Sequence, residues 1–197
     1  MQWYEAEVRA MEHARDSAPP RCGAVVFYGS SSIRLWSSLR DDFCGVNLVN
    51  TGFGGSTLAA CVYFFDRLVL PYHPHSVVLY AGDNDLGDGK RPENVRDSFR
   101  AFLHKMESLG PIPLGVISIK PSPARWHLRD AIYQTNAMIR QDLLARPSSY
   151  YIDIVPAMLN AQGGPRTELY QADGLHLSPE GYQVWTEAVS AYHEYLF

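Results

Sequence analysis

Ala24-Val25-Val26-Phe27-Tyr28-Gly29-Ser30-Ser31-Ser32 is a short apolar run, rich in β-branched and aromatic residues, that breaks at a glycine and continues into three serines. A run that is continuous rather than alternating suits a strand buried on both faces. The Gly-Ser segment reads as a turn, and residues 32–41 beyond it as a helix. Four more runs of the same kind follow: Val46-Asn47-Leu48-Val49, Ser76 to Tyr80, Leu114 to Ile119 and Tyr150 to Ile154. Helical stretches at 56–70, 92–109 and 127–145 lie between them, and one at 179–195 ends the series. Pro92 suits a first helical position and Ser178-Pro179-Glu180 a cap followed by proline. Trp3, Tyr4, Val8 and Met11 share a helical face, so residues 2–16 predict an amphipathic helix that stops before Pro19-Pro20 and packs on the sheet. Strands alternating with helices give an α/β protein. The expected architecture is a flavodoxin-like three-layer sandwich: a five-stranded parallel sheet, order 2-1-3-4-5, with helices on both faces.

Composition is consistent with that reading. The 197 residues, 46% of them hydrophobic, contain no linker-like segment or charge block, so one domain over 1–197 is expected, with 1–20 as a helix packed on it. A formal net charge of -4 argues against nucleic acid or an anionic membrane as partner, since both need a clustered positive field. Residues 1–16 lack a positive segment followed by an apolar run, and no stretch is long enough to span a bilayer, so a cytoplasmic protein is expected. Cys22, Cys44 and Cys61 are odd in number with no C-x-x-C spacing, which predicts reduced thiols rather than a disulfide framework.

In an open parallel sheet, ligands bind beyond the carboxyl ends of the strands, where the strand order reverses. Three polar, glycine-bearing segments follow the first three predicted strands: Gly29-Ser30-Ser31-Ser32, Asn50-Thr51-Gly52-Phe53-Gly54-Gly55 and Gly82-Asp83-Asn84-Asp85. A fourth, Asp173-Gly174-Leu175-His176, lies in the connection 155–178, which is longer than an ordinary βα loop. Each also has a plain reading, as turn or helix cap. Together they hold what acyl transfer needs. A serine hydroxyl becomes a useful nucleophile when a base takes its proton, and the base works best when a third group fixes its tautomer. Asp173 and His176 are spaced for that pairing. Gly55 can bring a backbone N–H close to an oxyanion, and Asn84 can donate its side-chain amide. Residue type alone leaves Ser30, Ser31 and Ser32 as rival nucleophiles.

The ordered set Gly29-Ser30-Ser31, Asn50-x-Gly52-x-x-Gly55, Gly82-x-Asn84-Asp85 and Asp173-x-x-His176 resembles the four sequence blocks of the SGNH hydrolase superfamily, the GDSL-type esterases and lipases. One block alone is weak evidence, whereas four in order across residues 24–182 are specific. The resemblance implies Ser31 as nucleophile and first oxyanion N–H, Gly55 as second donor, Asn84 as third, and Asp173 with His176 as the rest of the triad. It implies no cofactor and no metal. The chain departs from the family at Ser30, where aspartate is usual, which removes a carboxylate near the site but leaves every catalytic position filled.

The implied substrate is a small soluble carboxylic ester, with short acyl groups favoured and an acylated carbohydrate among the candidates. Trp36, Phe53, Leu86, Tyr170 and Leu175 flank the blocks and are expected to form the acyl pocket. Arg125 and Trp126, in the loop after the fourth strand, offer a cation beside an aromatic plane for a sugar ring or an anionic group. One competing reading is a domain that keeps the fold but binds an acylated partner without turnover. Another is a metal-dependent phosphoesterase using Asp83, Asp85, Asp88, Asp173 and His176. Residues 83–94 do not fit a calcium loop, because the glycine and acidic offsets are wrong and Asn94 stands where a bidentate glutamate belongs. Gly52 to Gly55 lacks the lysine of a phosphate-binding loop.

Overall fold

The computed structural model describes residues 1–19 and 21–197. Five parallel strands, β1 (Val25–Gly29), β2 (Leu48–Gly52), β3 (Ser76–Tyr80), β4 (Leu114–Ile117) and β5 (Ser149–Ile152), make one sheet in the order β2-β1-β3-β4-β5, as the sequence predicts. The register sets Gly29 beside both Gly52 and Tyr80. The carboxyl ends of β2, β1 and β3 therefore finish level, and the segments that follow them emerge at one edge.

Along each strand alternate side chains feed two apolar layers. Val26, Tyr28, Val77, Leu79, Leu114 and Val116 face one layer, while Val25, Phe27, Val78, Tyr80 and Ile117 face the other. The first layer is closed by α1 (Glu5–Ser17), α4 (Leu58–Leu68), α6 (Pro92–Glu107) and α7 (Arg129–Leu143), and the second by α2 (Ser31–Arg34), α3 (Leu39–Asp42), α8 (Pro179–Ser190) and α9 (His193–Leu196). In α6 the buried residues Val95, Phe99, Phe102 and Met106 recur at helical spacing, which lays one stripe on the sheet.

Several boundaries differ from the sequence reading for identifiable reasons. Residues 32–41 do not form one helix. Ser38 Oγ and the Trp36 indole both donate to Asp42, at 2.8 and 2.6 Å, and these local bonds break the stretch into α2 and α3. β2 starts two residues later than expected and includes Asn50, Thr51 and Gly52. Asn50 is what finishes it: its amide donates to Ile33 O at 2.7 Å and its oxygen accepts from Gly52 N at 3.0 Å, tying the strand end to α2. β4 ends at Ile117, since Ile119 exchanges both backbone bonds with the buried Asn136 amide instead of a strand, at 2.8 and 2.9 Å. Asp83 to Gly87 form a short helix, α5, where only a turn was expected. Residues 2–4 wind as a tighter 3-10 turn, so Trp3 leaves the apolar stripe and is 85% exposed, while Val8 is buried in the layer on this face of the sheet, with α1 lying against α4. Pro20, read with Pro19 as the stop after this helix, lies outside the described residues. No helix among the described residues is long and apolar enough to cross a membrane.

Asp85 of α5 (Asp83–Gly87) caps the start of α4, accepting from Leu58 N at 2.9 Å. Burial pushes its carboxyl up to about 6, against the lowering effect of that N–H. In the unfolded chain such a group titrates near ~4. Between about pH 4 and 6 the unfolded chain thus releases a proton that the folded chain keeps, and the fold loses up to about 3 kcal/mol across that window. Asp85→Asn removes the titration and keeps an oxygen for Leu58. The melting temperature of the variant relative to wild type is expected to climb by several degrees from pH 4 to pH 7, and a difference that stays flat would contradict this account of the cap.

Candidate active site

Gly29 sits at φ 132°, and a side chain there would overlap the Tyr80 carbonyl, so only glycine lets the chain leave β1 at this angle. The turn delivers Ser31 to the start of α2. Ser30 and Ser32 are 2% and 1% exposed, and of the three serines only Ser31 lines the cavity at this edge of the sheet. Ser32 is engaged below, its Oγ accepting from Lys120 Nζ at 3.2 Å and its carbonyl from Tyr182 at 2.9 Å. The cavity, about 510 Å³, is also lined by Gly55, Asn84, Leu175 and His176, with Trp3, Glu7 and Arg34 at its side.

His176 and Asp173 arrive on the long connection. An isolated bridge between Tyr170 and Leu177 and the bond from Gln171 N to His176 O, 2.8 Å, close the loop 171–176 on itself. Within it Asp173 Oδ1 accepts from Leu175 N and His176 N, both at 2.9 Å, and Oδ2 lies 2.6 Å from His176 Nδ1. Burial raises the carboxyl, but the two backbone N–H groups and the imidazole outweigh it and hold Asp173 at about 2. It is therefore ionised across the neutral range. His176 Nε2 lies 3.2 Å from Ser31 Oγ. With its proton held on Nδ1 by the carboxylate, the imidazole presents a lone pair to the hydroxyl, which is the geometry for accepting the serine proton.

Three donors belong to residues that line this cavity. Ser31 N and Gly55 N have no acceptor among the described residues. Asn84 uses one amide hydrogen on Ser56 O at 3.0 Å, which leaves its second hydrogen unspent. Its oxygen accepts from Arg125 Nη2 at 3.0 Å.

Arg125 is thus turned inward beneath Asn84, where the sequence reading placed it on the rim facing substrate. Its Nη1 lies 2.6 Å from Asp83 Oδ1, close as an ion pair though off the line of a hydrogen bond. Asp83 Oδ2 accepts from Lys120 Nζ at 2.8 Å, and Lys120, 1% exposed, also donates to Tyr80 at 3.1 Å. Burial opposes the charge on Asp83, but Lys120 and Arg125 overcome it and hold the carboxyl below its ordinary range. Sequence reasoning missed this buried cluster. Its one signal was Lys120 ending the apolar run Ile117-Ser118-Ile119, a place where a charge needs a partner.

Of the residues expected in the acyl pocket, only Leu175 lines the cavity. Trp36 and Tyr170 pack in one core layer and Phe53 and Leu86 in the other. Trp36 stacks on Tyr182, and the Tyr170 hydroxyl is spent on Pro121 O at 3.1 Å. Trp126 is half-buried and lies under Arg129, 5.6 Å from its guanidinium, rather than offering a free plane beside Arg125. Asp83, Asp85, Asp88, Asp173 and His176 do not converge, and among the described residues no group of three or more histidine, cysteine or acidic side chains is placed to hold a metal ion.

Comparison with known proteins supplies the family. The profile of the GDSL-like lipase/acylhydrolase family matches residues 22–184. Platelet-activating factor acetylhydrolase IB subunit alpha1 of Rattus norvegicus is 26% identical over 191 residues, covering 91% of this chain and 77% of its own. A GDSL-like lipase from Bacteroides thetaiotaomicron shares the fold with a TM-score of 0.81 at 20% identity, covering 96% of this chain and 98% of its own. The lipase/acylhydrolase from Enterococcus faecalis does so at 0.72 and 20%, covering 89% and 98%. With four blocks meeting at one edge of a 2-1-3-4-5 sheet and a family profile spanning all but the chain's ends, the protein belongs to the GDSL-like lipase/acylhydrolase family, hydrolases that act on ester bonds.

Proposed function

We propose that the protein is a serine esterase of small carboxylic esters, with Ser31 as nucleophile, His176 as base and Asp173 as the group that orients it. The observation that carries the reading is the continuous line from Asp173 Oδ2 to His176 Nδ1, 2.6 Å, and from His176 Nε2 to Ser31 Oγ, 3.2 Å. In the forward step Ser31 Oγ attacks the ester carbon as its proton passes to Nε2. The carbonyl oxygen becomes an oxyanion facing Ser31 N, Gly55 N and Asn84 Nδ2. Collapse expels the alcohol, which takes the proton from His176, and water repeats the sequence on the acyl-enzyme. No step calls on a cofactor or metal.

A short acyl group is supported by the acetylhydrolase relatives. At the rim, the exposed Trp3 indole beside the Arg34 and Glu7 pair supports an alcohol portion with a ring face and polar edges, as in an acetylated sugar. Rates on p-nitrophenyl acetate, butyrate and octanoate, measured in EDTA, test the reading. Acetate is expected to exceed octanoate in kcat/KM by about tenfold or more, because only Leu175 of the residues expected to form an apolar acyl pocket lines the cavity. Preference for octanoate, or activity that vanishes in EDTA and returns with zinc or manganese, would contradict it.

Asn84 donates to a charge that exists only in the transition state. Asn84→Ala is expected to lower kcat by roughly 10²–10³ with KM little changed. An equal rise in KM would show that Asn84 binds the ground state instead.

A further inference from the structure

We propose that the N-terminal helix is a working part of the site, with Glu7 and Tyr4 as positioning residues that fix the peptide plane carrying the Gly55 N–H. The proposal rests on the esterase reading above, in which that N–H is an oxyanion donor.

An oxyanion donor is effective to the extent that it is already fixed when charge develops. Gly54-Gly55 is poorly suited to this by itself, because two consecutive glycines have the greatest backbone freedom, and Gly55 stands at φ 66°. Before this pair, Phe53 N is anchored to Gly29 O at 2.9 Å, and after it Thr57 caps α4. Between those anchors, two bonds come from the N-terminal segment, one from Glu7 of α1 and one from Tyr4 in the 3-10 turn before it. Gly54 N donates to Glu7 Oε2 at 2.9 Å, and the Tyr4 hydroxyl donates to Gly55 O at 3.1 Å. The peptide groups on either side of the Gly54-Gly55 peptide are thereby tied down, while the N–H between them has no acceptor among the described residues and both glycines line the cavity.

The clamp has a firm base. Val8 is buried in the core, the Tyr4 ring packs edge-on against Phe53 and Phe64, and Glu5 and Glu12 grip Arg67 of α4 at 2.9 and 2.7 Å, so α1 is seated without the two hydrogen bonds from Tyr4 and Glu7. Glu7 Oε1 also lies 3.5 Å from Arg34 Nε, at the end of the short helix that Ser31 begins. One carboxylate thus links the glycine loop to the helix of the nucleophile. Helix docking alone does not require these contacts, since the core and Arg67 already provide it.

The test compares Glu7→Ala, Glu7→Gln and Tyr4→Phe with Arg9→Ala, a change at an exposed position of the same helix paired only with Glu5. Turnover of p-nitrophenyl acetate and the Gly55 amide resonance in ¹H–¹⁵N spectra are both read. Glu7→Ala is expected to lower kcat about tenfold or more with KM within about twofold, and Tyr4→Phe to lower it about threefold to tenfold. Glu7→Gln retains an oxygen for Gly54 N and is expected to stay within about threefold of wild type, with Arg9→Ala unchanged. The Gly55 resonance should shift or broaden in Glu7→Ala and stay put in Arg9→Ala. Wild-type kcat in Glu7→Ala with an unmoved Gly55 resonance would overturn the proposal, as would equal losses in Glu7→Ala and Arg9→Ala. Absence of turnover in the wild-type protein would remove the esterase reading; the clamp then stands or falls on the Gly55 resonance, a shift in Glu7→Ala supporting it and no shift overturning it.

Discussion

Asp173→Asn is expected to lower kcat by about 10⁴ while leaving the fold intact, the loss typical when a serine hydrolase triad is locked in the wrong tautomer. The reason lies in how fully the carboxylate is used. Oδ1 already accepts from Leu175 N and His176 N, so an asparagine must keep its oxygen there and turn its amide nitrogen toward His176 Nδ1. That nitrogen is a donor. It forces Nδ1 to become the acceptor and moves the imidazole proton to Nε2, where it points at Ser31 Oγ and cannot receive another. Because Asp173 is held at about 2, the wild-type carboxylate is ionised at any pH where the enzyme is assayed, and the deficit of the variant should persist across the neutral range. Steady-state kinetics with a melting curve check this. Near-normal turnover would show that the carboxylate serves only to close the loop 171–176.

Ser31→Ala is expected to have the larger effect, a fall in kcat of about 10⁴–10⁶, because among the described residues no other hydroxyl or thiol lines the cavity. Ser30→Ala and Ser32→Ala are expected to stay within about tenfold of wild type. Both side chains are buried away from the cavity, and Ser32 contributes through Lys120 rather than through the ester. Parallel assays of the three variants on p-nitrophenyl acetate separate the serines that residue type alone left equivalent. Loss confined to Ser30→Ala or Ser32→Ala would move the nucleophile.

The strands and their order were legible in the sequence because burial on both faces leaves continuous apolar runs, and alternation with helices restricts the connections to one hand. The meeting of the four blocks was legible for a related reason: three follow strand ends that the strand order sets side by side, and Asp173 and His176 are a local pair, whereas the choice of Ser31 over Ser30 and Ser32 came only from the family resemblance. What sequence could not show was which way individual side chains turn. Arg125 looked like a rim cation, but its partner Asp83 is distant in sequence and also pairs with Lys120, 37 residues further on, and only the packed sheet brings the three together. Trp36, Phe53, Leu86 and Tyr170 are apolar and flank the motifs, yet residues of that type are claimed by the core first, and those four are. Trp3 went the other way, because one 3-10 turn removed it from the stripe that buries Val8. The helix break after Arg34 depends on a side chain, Asp42, that competes with the backbone for donors.

Ser31 Oγ is the atom that attacks the ester, and a covalent probe addresses it directly. The purified protein treated with a fluorophosphonate, digested and mapped by mass spectrometry is expected to carry a single adduct on Ser31, formed much more slowly in Asp173→Asn because the attacking hydroxyl then lacks its base. An adduct on Ser30 or Ser32, or none on a protein that hydrolyses p-nitrophenyl acetate, would contradict the assignment of Ser31 as the nucleophile.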